Sequence, residues 1–78
     1  MITKDQKILI VGLGLIGGSY AEGLSEDGYY VGAIDINQSS IDYALNKKII
    51  ASGTTKCEEE YIKQFDIVIF ALYPHLVI

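Results

Sequence analysis

Apolar residues in this chain gather in short unbroken runs, and stretches of helical periodicity separate the runs. Lys7 to Val11 carries Ile8-Leu9-Ile10-Val11 without polar alternation, the pattern of a central parallel strand covered on both faces. The spacing of Ile16, Tyr20, Ala21 and Leu24 predicts a helix over Leu15 to Ser25, with Gly28 as the stop just past its end. Tyr30 to Ile34 reads as a second strand that closes on Asp35. A second helix is expected from Gln38 to Lys47, with Ile41, Ala44 and Leu45 inward and either Asn37 or Ser39 as its cap. Lys47 and Lys48 fall at its carboxyl end, where the helix dipole favours cations. Ile49 to Ala51 predicts a short edge strand with a turn at Gly53. Glu58 opens a third helix to about Phe65, and Ile67 to Leu72 is a fourth, fully apolar strand that Pro74 ends.

Strands alternating with helical stretches imply crossover connections and a parallel sheet. The expected spatial order is 3-2-1-4, with the first strand central. Repeats, low-complexity tracts and linkers do not interrupt the pattern.

Length and composition narrow the class. Seventy-eight residues make one small domain, and a chain of that size buries only about 60–65% of the surface its unfolded form exposes. Half of the residues are hydrophobic, which fits either a sheet buried on both faces or a piece of something larger. The formal net charge is −4, and all six basic residues are lysines. Nucleic acid is therefore not the expected ligand, because phosphate neutralisation needs clustered basic side chains. Cys57 stands alone, which excludes an internal disulfide and suits a reducing cytoplasmic compartment. Lys4 and Lys7 ahead of an apolar stretch imitate a signal peptide, yet Gly12, Gly14, Gly17 and Gly18 have a spacing with its own explanation. At about 11 residues the stretch is also too short for a bilayer, which needs about 20, so no membrane partner is expected. Glu58, Glu59 and Glu60 do not form a metal cluster, since consecutive helical residues splay around the axis.

That explanation is chemical. Gly12-Leu13-Gly14-Leu15-Ile16-Gly17 follows a strand and opens a helix, and Asp35 stands at the end of the next strand. In this order Gly12 permits an abrupt turn, Gly14 lets a pyrophosphate approach the main chain, and Gly17 lets helix and strand pack closely. Free N–H groups at the helix start supply donors without any arginine. An acid about 20 residues further on accepts hydrogen bonds from ribose hydroxyls and repels a 2′-phosphate, so NAD is favoured over NADP. Ser19 adds either a hydroxyl to the phosphates or a packing contact. The fold class is α/β, a partial Rossmann-type doubly wound parallel sheet.

The octet Gly12 to Ser19, Asp35 followed by Asn37, and the later Asp66-Ile67-Val68-Ile69-Phe70-Ala71-Leu72 resemble prephenate dehydrogenase. The resemblance runs from Lys7 to Pro74 and covers only the amino-terminal part of a usual member. It implies oxidative decarboxylation of prephenate to 4-hydroxyphenylpyruvate in tyrosine biosynthesis, with NAD as hydride acceptor; the arogenate-using branch gives tyrosine instead. Gly12, Gly14, Leu15, Ile16 and Gly17 match the family's phosphate turn, Asp35 its ribose acid, and Ala71 to Pro74 its nicotinamide-side segment, with Ala71 and Leu72 as cofactor residues. Two positions depart. Lys48 stands where many relatives have glycine, so the loop there is expected to differ, and Tyr73 reads as one residue extra before Pro74.

Prephenate has two carboxylates, which call for arginines, and this chain has none. The family's proton-abstracting histidine is expected beyond residue 78. His75 reads as a loop residue or cofactor-edge contact, and Tyr73 as packing or cofactor contact. The chain is thus expected to be residues 1–78 of a larger two-domain protein, inactive alone, whose helical second domain binds prephenate or arogenate and makes a homodimer. Two alternatives remain: the NAD-binding part of a β-hydroxyacid type of dehydrogenase, and a non-enzymatic NAD module.

Overall fold

The computed structural model describes residues 5–71, the side chains of Leu15 and Ile16 excepted. Four strands and three helices alternate: β1 (Lys7–Val11), α1 (Leu15–Glu26), β2 (Tyr30–Ile34), α2 (Gln38–Asn46), β3 (Ser52–Thr54), α3 (Glu59–Ile62) and β4 (Ile67–Phe70). All pairings are parallel, and the sheet order is β3-β2-β1-β4. This is the expected order, and the sheet is a partial Rossmann-type fold.

The alternation of side chains along a strand sorts the two faces. Ile8, Ile10, Val31 and Ala33 share one buried cluster with Ala21 of α1 and Ile41 and Ala44 of α2. Leu9 points the other way and is fully buried. Beside it Gly32 of β2 sits under Phe65 and Tyr61, where a Cβ would stand 2.7 Å from the Tyr61 hydroxyl oxygen. Tyr61 and Phe65 meet edge to face at 5.1 Å between centroids.

Both long helices end in the same way. Tyr29 N–H bonds back to the Leu24 carbonyl and Gly28 N–H to Ser25, while Ile49 N–H bonds to Ala44 and Lys48 N–H to Leu45. These paired bonds define the Schellman motif, whose penultimate residue is left-handed. Gly28 takes that position after α1 with φ 93°, and Lys48 takes it after α2 with φ 62°. Lys48 thus stands in the left-handed backbone conformation that glycine usually takes at such a helix end.

Several sequence-based expectations need correction. The third strand is Ser52–Thr54 rather than Ile49 to Ala51, and Gly53 lies within it rather than in a turn. Ile50 is buried because it packs from the connecting segment, and Gly53 is pressed against Ile41 and Ile50. Tyr20 and Leu45 are not inward; they are 55% and 39% exposed. β4 is apolar throughout yet only half-buried, through Ile67 and Ile69 on one face, with Val68 and Phe70 exposed. The third helix is a single turn, shorter than Glu58 to Phe65. Among the described residues, no helix is long and apolar enough to cross a membrane.

Candidate functional site

The carboxyl ends of β1, β2 and β4 meet at one edge of the sheet, and the glycine turn is built there. Gly12 leaves β1 with φ 100°, a backbone region that side chains resist, and its N–H donates to the Ile34 carbonyl at 2.8 Å. Gly14 is the N-cap of α1, and no side chain caps the helix. A helix start leaves four N–H groups without intrahelical partners, at the positive end of its dipole. A Cβ on Gly14 would meet nothing within 4 Å, so the space before these donors is open. The backbone of Leu15 and Ile16 lies in this first turn.

Gly17 has the opposite surroundings. A Cβ there would overlap the Gly12 carbonyl and come within 3.1 Å of the Ala71 Cβ. The absence of that carbon presses α1 against the end of β1, and it brings Gly12, Gly17 and Ala71 together. Ala71 continues the pairing of β4 by donating its N–H to the Val11 carbonyl at 2.9 Å. A Cβ on Gly18, by contrast, would meet the Leu13 carbonyl oxygen at an ordinary 3.8 Å. Leu72, Tyr73, Pro74 and His75 lie outside the described residues.

Asp35 ends β2 and is held at several points. Its N–H donates to the Thr54 carbonyl at 3.2 Å. One carboxylate oxygen accepts from the Leu13 N–H at 2.6 Å and the other from the Asn37 N–H at 2.8 Å. Asn37, not Ser39, caps α2: its side-chain oxygen accepts from the Ser39 N–H at 3.0 Å and from the Ser39 hydroxyl at 2.6 Å. An ionised carboxylate has about four acceptor positions, so two remain for hydroxyl donors.

Ile36 carries no motif, yet it stands 92% exposed between Asp35 and Asn37. Its signal is an apolar residue inside an otherwise polar turn. Between α1 and α2 runs a groove of about 740 Å³ that includes Leu13, Gly14, Ser19, Glu22, Tyr43 and Lys47. Its lining includes Leu13, Gly14, Gly18 and Ser19 of the glycine octet.

Among the described residues, the turn offers backbone donors and one carboxylate. Tyr61, whose pKa burial raises and a hydrogen bond to Ser52 partly lowers, packs beneath the sheet near Gly32. Among the described residues there is no cluster of histidine, cysteine or carboxylates that would hold a metal. An uncapped helix start, open approach at Gly14 and a carboxylate with spare acceptor positions fit a dinucleotide.

Residues 7–75 match the family model described as the NAD binding domain of 6-phosphogluconate dehydrogenase. The chain belongs to this NAD-binding family. No curated protein matches it. Among solved structures, this NAD-binding domain is similar to prephenate dehydrogenase from A. aeolicus in complex with hydroxyphenyl propionate and NAD+. The identity is 37% and the TM-score 0.74, over 83% of this chain and 23% of that one. Arogenate dehydrogenase from Synechocystis gives 28% identity and a TM-score of 0.75 over 82% and 22% of the two chains. A further prephenate dehydrogenase structure from Aquifex aeolicus gives 43% identity and a TM-score of 0.58 over 63% and 18%. The domain thus spans less than a quarter of the length of each. Its cofactor is NAD, and its fold is that of a dehydrogenase.

Proposed function

We propose that this chain is the cofactor-binding part of an NAD-dependent dehydrogenase that acts on prephenate or arogenate. The observation that carries the reading is the join of Gly12, Gly17 and Ala71 beneath an uncapped helix start, with Asp35 beside it. The likeness to a prephenate dehydrogenase at 37% identity supports the substrate class. Bound NAD supplies a hydride acceptor, which for prephenate accompanies loss of carbon dioxide.

The chain's own residues bind and orient. N–H groups of the Gly14 to Gly17 turn hold the pyrophosphate, Asp35 receives the adenosine ribose, and Ile36 offers apolar surface to the base. Ala71 borders the nicotinamide side. The two carboxylates of prephenate require cations placed to hold them, and none of these 78 residues is an arginine. The substrate-binding and proton-abstracting groups therefore belong to a second, helical domain of a longer cytoplasmic protein, which also forms the homodimer. A second reading, a dehydrogenase of β-hydroxy acids, is favoured by the family model, whose description names 6-phosphogluconate dehydrogenase.

Two measurements test this. NAD at 100 times its dissociation constant should stabilise the chain by about 2.7 kcal/mol, read as a thermal shift; no shift would remove the NAD reading. For the substrate, this chain would replace the matching segment of the A. aeolicus prephenate dehydrogenase. A chimera that oxidises prephenate supports the proposal, whereas a folded, NAD-binding but inert chimera counts against it. Turnover of prephenate by the 78-residue chain alone would overturn the assignment of substrate binding to a second domain.

A further inference from the structure

The contacts of Asp35 reach beyond a ribose. Its two carboxylate oxygens tie together two segments that are distant in sequence: Leu13 in the turn after β1, and Asn37 at the start of α2. The Leu13 bond is short, at 2.6 Å, and partly buried. Through Asn37 the network continues to the N–H and hydroxyl of Ser39 in the first turn of α2. Leu13 itself lies between Gly12 and Gly14, the residues that set the direction and the cap of α1. Next to it the Gly12 N–H donates to the Ile34 carbonyl at 2.8 Å, so two consecutive amides tie the turn to the end of β2, and the Leu13 one does so through the Asp35 carboxylate.

From this we infer that Asp35 is a positioning residue for the phosphate-binding turn as well as a ribose acceptor. Its charge holds the Leu13 amide, and so fixes the angle at which the N–H groups of α1 meet the pyrophosphate. Ribose hydroxyls use the acceptor positions that the two backbone bonds leave free. Part of the affinity that Asp35 confers is then exerted on phosphates it does not touch. The inference rests on the NAD reading of the site, and it adds a role that ribose recognition alone does not contain.

Asn in place of Asp35 keeps the shape but leaves one of the two backbone N–H groups facing an amide NH2, which cannot accept. The test compares the chain with its Asp35→Asn variant, each titrated with NAD and with NAD lacking both hydroxyls of the adenosine ribose. If Asp35 positions the turn, the variant binds the dideoxy nucleotide more weakly than the unsubstituted chain does, by on the order of tenfold. Equal affinity of the two proteins for the dideoxy nucleotide would overturn the inference while leaving ribose recognition intact. No binding of NAD by the unsubstituted chain would sink both the NAD reading and the inference.

Circular dichroism would show whether the variant folds. Hydrogen exchange at the Leu13 amide makes the same test without a substitution. In the unliganded chain this amide should exchange at least about tenfold more slowly than an unstructured one, and free exchange there would overturn the inference.

Discussion

Replacing Lys48 by glycine should stabilise the chain, and the structure contains its own reference for the size of the effect. The two Schellman ends have the same pair of backbone bonds, with Gly28 at φ 93° in one and Lys48 at φ 62° in the other. An L-residue held in the left-handed region costs about 1–2 kcal/mol. Glycine avoids that cost but gives the unfolded chain more freedom, worth about 0.5–1 kcal/mol. The difference between Lys48→Gly and Lys48→Ala, neither of which has the lysine charge, is then about 1 kcal/mol in favour of glycine. Against the natural lysine the gain is smaller, because an exposed cation at a helix end contributes about 0.3 kcal/mol. Nothing else is lost, since the Ser25 hydroxyl donates to the Lys48 carbonyl and not to its side chain. In urea unfolding, a slope of about 1 kcal/mol per molar separates the two midpoints by about 1 M. Thermal midpoints should differ by about 4–8 °C. Gly28→Ala should lose a similar amount at the other helix. An alanine variant at position 48 as stable as the glycine variant would refute the argument.

Three further outcomes are expected. Within α1, Gly23→Ala should stabilise by about 1 kcal/mol, since a Cβ there meets nothing within 4 Å; Gly17→Ala should destabilise by at least about 1–3 kcal/mol and abolish NAD binding. Chemical denaturation and calorimetry would separate the two. Tyr61→Phe should cost about 1 kcal/mol through the lost bond to Ser52. Because the folded pKa of Tyr61 lies above the ordinary 10.0, its contribution is complete below pH about 10 and is lost as pH rises beyond, when the unfolded chain releases its proton first. That part of the alkaline fall in stability should be absent in the variant. Finally, Asp35→Ser removes the negative charge beside the ribose and should raise affinity for NADP relative to NAD; an unchanged ratio would remove Asp35 from nucleotide selection.

Legibility of the fold in the sequence followed burial. β1 and β2 have the bounds that their apolar runs predict, because both strands are covered on both faces along most of their length. β3 does not: Ser52-Gly53-Thr54 has no apolar signature, and its neighbour Ile50 is buried without being in a strand. Tyr20 and Leu45 fit the helical spacing yet lie at the margin of the apolar stripe, where periodicity alone does not separate inside from outside. At the site, the glycines announced their conformations, since Gly12 and Gly17 answer to steric demands that only glycine meets. The bonds from Asp35 to Leu13 and Asn37 were not legible, because a side chain that accepts from a distant backbone leaves no pattern in the sequence. Ile36 left only a weak trace, one apolar residue within a polar turn.

Lys7 and Asp66 bind each other at the start of β1 and β4: the Lys7 N–H donates to the Asp66 carboxylate at 2.8 Å, and the Asp66 N–H to the Lys7 carbonyl at 2.9 Å. The two residues are 59 positions apart, because α1, β2, α2, β3 and α3 all lie between their strands in the sequence. On a ribosome, β1 emerges before β2, β3 and β4, and its second neighbour, β4, exists only after the intervening elements have been made. Until then Ile8, Leu9 and Ile10 form an unpaired apolar edge, the kind of surface that draws other chains into aggregates. Long-range closure of this sort also slows folding, toward the millisecond-to-second range. The strand at the centre of this sheet is thus the one most exposed while the chain is being made, and its protection depends on a strand that is made 59 positions later.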